Sequence, residues 1–141
     1  MEISEVRRRL RETIERAKRS AGQRRTQMDE ASKEFTGFLE QTAVPLFRQV
    51  GNVLKVEGYP FGVFTPGGSV RLMSERNSED YIEIALDTSG DVPVVVGRSR
   101  RGRGRRVLES ERPIGNGPVR NLTEQDVLEF LLKELEPLVE K

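Results

Sequence analysis

The stretch Arg98-Ser99-Arg100-Arg101-Gly102-Arg103-Gly104-Arg105-Arg106 holds six arginines, two glycines and no acid. A guanidinium presents a planar fork of donors that matches phosphate or carboxylate oxygens two at a time. Glycine lets a backbone approach a ligand closely. The stretch lies between two strand-like segments. It is therefore expected to form a basic hairpin tip over 98–106, with Arg98, Arg100, Arg101, Arg103, Arg105 and Arg106 as a polyanion-binding set. No aromatic residue is interleaved, so base stacking gains no support there. Two blander roles compete: a solvated tip, and docking onto the acidic blocks of this chain or of a second copy.

Other chemistry-bearing residues are sparse. Glu83 and Asp87 fall on the wet face of one predicted strand with Tyr81, and two carboxylates are the minimum for acid–base work. Four residues of extended chain hold them roughly 13 Å apart, beyond the separations that glycosidases use. Arg71, one strand earlier, is placed to neutralise one of them across the sheet. Thr65-Pro66-Gly67-Gly68-Ser69 has the glycines of a phosphate cradle but no Lys, and a strand rather than a helix follows, so a tight hairpin turn is expected. The chain has no Cys and no His. That removes thiolate chemistry, the commonest general base and the usual transition-metal ligands. Lys18, Lys33, Lys55, Lys133 and Lys141 form no Ser-x-x-Lys arrangement with a serine. No loop alternates acids in the calcium-binding manner. The expectation is a protein that is not an enzyme, with no cofactor and no metal.

What positions these residues follows from length and charge. The 141 residues suit one domain. The net charge of +1 hides segregation: residues 1–25 carry +5, 26–91 carry −6, 92–107 carry +6 and 108–141 carry −4. No internal repeat is visible. No apolar run approaches the roughly 20 residues of a membrane span, and Met1-Glu2-Ile3-Ser4-Glu5-Val6-Arg7 lacks a signal-peptide core. A soluble, cytoplasmic protein with no membrane partner is expected.

Residues 3 to about 43 read as a long amphipathic, coiled-coil-like helix. One seam runs Ile3, Leu10, Ala17, Arg24, Ala31, Phe38, and the other Arg7, Ile14, Ala21, Met28, Phe35, Thr42. Nine of these twelve are apolar, a heptad pattern. Gly22 weakens the interior, so one helix and a break near Ser20-Ala21-Gly22 both remain open. The reading favours a protruding helix over 1–44 that pairs with a second chain through Ile3, Leu10, Ile14, Met28, Phe35 and Phe38. Pro45 is expected to end it and open a short helix over about 45–57, capped by Gly58.

From Tyr59 the hydrophobic period changes to two. Phe61–Thr65, Val70–Ser74, Tyr81–Asp87, Val92–Gly97 and about 105–111 read as strands, and their short connections imply an antiparallel meander of about five. Pro93 argues that the start of the fourth lies at a sheet edge. Thr123-Glu124-Gln125-Asp126 resembles a capping box. Behind it Val127, Leu128, Leu131, Leu132 and Leu135 form a stripe expected to cover the sheet, with Phe130 beside it and Pro137 at the helix end. The fold class is α+β, and residues 45–141 are the single α+β domain. The function read from this is a non-catalytic, oligomeric interaction or adaptor protein, a dimer favoured. The alternative is a nucleic-acid-binding or other polyanion-binding protein, without sequence specificity, that uses the Arg-rich hairpin. An acidic protein is the remaining partner class.

Overall fold

A computed structural model describes residues 1–140; Lys141 lies outside them. Helix α1 spans Ile3–Phe38 and meets α2, Val44–Val56, without a break. Together they make a rod of roughly 80 Å at about 1.5 Å per residue. Gly22 does not interrupt it, and its carbonyl also accepts from the Thr26 hydroxyl at 3.1 Å. Pro45 does not end it either. A single π-helical turn, Leu39–Ala43, precedes the proline, and the Val44 N–H reaches back five residues to the Leu39 carbonyl. The wider turn shifts the hydrogen-bond ladder, so the residue without an N–H falls in the first turn of α2, where none is required. Gly58 then stops α2 at φ 92°. Its N–H bonds to Lys55 and that of Tyr59 to Leu54, the paired closure that a left-handed glycine permits.

Five strands follow in chain order as an antiparallel meander: β1 Phe61–Phe64, β2 Val70–Ser74, β3 Tyr81–Asp87, β4 Val94–Arg103 and β5 Arg106–Pro113. Pro66–Gly68 closes the β1–β2 hairpin as a tight turn, with Gly67 and Gly68 at positive φ. Helix α3, Glu124–Val139, starts at the expected capping box: Thr123 accepts from the Asp126 N–H, and Asp126 accepts from the Thr123 N–H.

Both helical units lie on one face of the sheet. Ala31, Phe35, Leu39, Ala43, Leu46 and Phe47 from the rod pack with Val70, Leu72, Ile82 and Ile84 from the strands, and with Val127, Phe130, Leu131, Leu135 and Leu138 from α3. A boundary at residue 44 therefore cuts through one core. The second half of α1 belongs to the sheet domain, and only its N-terminal part stands clear.

The α3 stripe is rotated from the expected one. Phe130 is buried and faces Gly97 of β4, while Leu132 is 58% exposed. At about 100° per residue Phe130 lies roughly 80° to one side of the axis of the stripe set by Val127, Leu131 and Leu138, on the side facing Gly97, and Leu132 about a third of a turn to the other side. Pro137 does not end the helix; it sits inside the last turn. β4 is also longer than expected; β5 pairs with it from Val96↔Pro113 to Arg103↔Arg106, so its first residue, Val94, next to Pro93, lies before that pairing.

Candidate functional site

The arginine run is mostly strand, not tip. β4 carries Arg98, Arg100, Arg101 and Arg103, and only Gly104 and Arg105 stand between it and Arg106, the first residue of β5. Strand alternation sends Arg98 and Arg100 to the face that no helix covers. There Arg71, Glu83, Arg98 and Glu111 lie directly opposite one another on β2, β3, β4 and β5. This alternating row is closed by ion pairs: Arg71 to Glu83 at 3.1 Å, Arg98 to Glu83 at 3.7 Å and Arg98 to Glu111 at 3.4 Å. The Ser69 hydroxyl donates to Glu83 at 3.0 Å. In the next row Arg100 reaches Glu109 at 3.4 Å, and the Arg71 guanidinium stacks 4.1 Å from the Tyr81 ring centre.

Three consequences bear on the sequence expectation. Glu83 is only 6% exposed despite lying on the uncovered face, because two guanidinium groups and Ser69 enclose it. Arg98 and Arg100 are already held by the chain's own acids. Glu83 and Asp87 do not converge, and Asp87 is occupied locally: it accepts from the Ser89 hydroxyl at 2.6 Å and from the Ser89 N–H at 2.9 Å. These bonds hold its carboxyl below the ordinary range. Among the described residues no group of three His, Cys, Asp or Glu is placed to hold a metal ion, and no helix is long and apolar enough to cross a membrane.

The rest of the arginine set is less engaged. Arg103 lies directly opposite Arg106, a like-charge pair across the ladder, with Arg105 in the turn between them. Arg101 turns to the helix side, beside Ser99, Glu134 and Leu138 in a small cavity of about 170 Å³, and its buried Nε has no hydrogen-bond partner. The basic N-terminal helix does not add to this cluster. Arg24 contacts Asp91, just ahead of β4, at 3.6 Å, whereas Arg105 lies past the far end of that strand. The ten residues of β4 separate the two basic regions by roughly 30 Å.

The seam of α1 divides in two. Phe35 is buried in the chain's own core and Phe38 packs against it, while Met28 is half-buried. Phe35 and Phe38 are thus structural, and the sequence pattern did not separate them from a pairing set. Ile3, Leu10 and Ile14 are 78%, 57% and 44% exposed, and Val6, between them on the same face, is exposed as well. Where α1 joins the domain, an apolar cleft of about 610 Å³ opens between Ala31, Val92, Val95 and Val119, with Glu34 and Arg120 on its walls. Sequence reasoning did not anticipate it, because its walls come from three segments distant in the chain. Compared with protein-family models, curated proteins and solved structures, the chain matches none.

Proposed function

We propose that this chain is a non-catalytic interaction protein that self-associates through the free half of α1 and carries its α+β domain as a platform for partners. One observation carries the reading. The apolar stripe that builds the core at Ala31, Phe35 and Leu39 continues without a change of face through Ile14, Leu10, Val6 and Ile3, which are exposed among the described residues. A helix that presents a wet apolar stripe gains by burying it on another surface. Sedimentation equilibrium tests this. Wild type is expected to associate at tens of micromolar. Leu10→Asp with Ile14→Asp places uncompensated charge in the seam and is expected to be monomeric with an unchanged melting transition. A monomeric wild type overturns the reading.

A second reading, a polyanion or acidic protein held at the hairpin end, is favoured by the unpaired Arg103 and Arg106 facing each other beside Arg105. Like charges set directly opposite are unfavourable alone, and a bound phosphate or carboxylate group relieves them.

A further inference from the structure

We infer that the pairing of α1 is antiparallel, with a second copy laid against residues 3–21 so that the two sheet domains stand at opposite ends of the helix pair. The inference rests on self-association and adds its geometry. The stripe is open only as far as Ala21. Beyond it Arg24 meets Asp91 at 3.6 Å, Gln27 and Ala31 stand against Val92–Val95 across the cleft, and Phe35 is buried. A parallel partner helix, running alongside α1 toward α2, would enter the space that the sheet domain already fills. Paired helices lie only about 8–10 Å apart, and α1 continues through Gly22 without a break to swing the partner clear. An antiparallel partner runs the other way, past Ile3 and away from the domain.

The side chains select a register. Pairing Leu10 with Ile14 of the second copy puts two of the three large apolar residues of the exposed seam together at the centre. Ile3 then meets the partner's Ala21, and Arg7 meets the partner's Ala17, so each larger side chain faces a small one. Arg7 and Arg24 stay apart, whereas a parallel in-register pair sets each against its own copy. The one like-charge meeting is Arg11 beside its own copy at the two-fold axis, on the exposed flank where salt screens it.

The chain has no Cys, so introduced thiols report orientation without a background. Arg7→Cys and Ala17→Cys are made as separate full-length proteins, confirmed as dimers by sedimentation, and oxidised alone and as an equal mixture. Facing seam positions come within disulfide reach. The covalent dimer is expected in the mixture and in neither protein alone. Cross-linking of either variant with itself overturns the antiparallel arrangement while leaving self-association intact, and a dimer that cross-links in no sample overturns the register. A wild type that is monomeric in the sedimentation experiment removes the reading on which the inference rests.

Discussion

Glu83 lies directly opposite Arg98 across β3 and β4, with 3.7 Å between carboxylate and guanidinium. Arg71 closes the other side of the same carboxylate at 3.1 Å. The charge is enclosed on a sheet face that has no helix over it. Glu83→Gln keeps the shape and leaves two guanidinium groups without their shared acid. The expected loss is about 1–3 kcal/mol. Glu109→Gln, at the exposed end of the Arg100 pair, is expected to cost less than about 1 kcal/mol. Urea unfolding of the two variants compares them directly, and equal costs would remove the special place of Glu83.

Gly97 is where α3 seats on the sheet. A Cβ there would overlap the Phe130 ring, and Phe130 is buried. Gly97→Ala is expected to destabilise the fold by about 1–3 kcal/mol through overpacking, readable as a lower Tm. The double variant with Phe130→Leu frees space at the contact and is expected to lose less than the two single losses combined.

Neighbouring leucines of α3 separate core from surface. Leu131 is fully buried, whereas Leu132 is exposed. Leu131→Ala is expected to cost about 2–5 kcal/mol, and Leu132→Ala no more than about 0.5 kcal/mol. Thermal melts that rank them the other way would mean that α3 is rotated on the sheet.

Asp87 is held below its ordinary carboxyl value of 3.8, first by the Ser89 hydroxyl and then by the Ser89 N–H. A depressed folded pKa stabilises the fold above the ordinary carboxyl range. That contribution disappears as pH falls through the folded value, so it acts on the acid limb alone. Ser89→Ala removes the hydroxyl bond and is expected to move the Asp87 midpoint upward in an NMR titration. An unmoved midpoint would leave the hydroxyl without a role.

The polyanion reading has its own signature. With Arg98 and Arg100 held by Glu83, Glu111 and Glu109, the cluster has Arg101, Arg103, Arg105 and Arg106 left to offer. At about −0.9 per phosphate, the slope of log K against log salt is expected near −3.5 for four contacts rather than about −5 for six. Arg103→Ala, Arg105→Ala and Arg106→Ala together should flatten it by nearly 3 units. Anisotropy titrations against duplex DNA at several salt concentrations measure both. Equal weak binding by wild type and the triple variant at low salt would rule the reading out.

Period and punctuation alone determined the element types. The seam of α1, the alternation of Ile82, Ile84 and Leu86, the Pro66–Gly68 turn, the Gly58 stop and the Thr123 capping box are local signals, written in residues within one or two turns of each other. They specify helix, meander and closing helix without reference to distant partners. Only the tertiary structure decided which part of a periodic surface is covered. Phe35 and Leu10 carry the same apolar pattern, yet one is core and the other faces solvent, because the sheet reaches α1 only from about Ala31 onward. Phe130 and Leu132 are likewise indistinguishable by composition, and the missing side chain at Gly97 selects the ring. The arginines divide for the same reason. Arg98 lies across from Glu83 and Glu111 through strand register, a long-range relation that spacing along the chain does not encode, while Arg103 meets Arg106 just before the turn and finds no acid there.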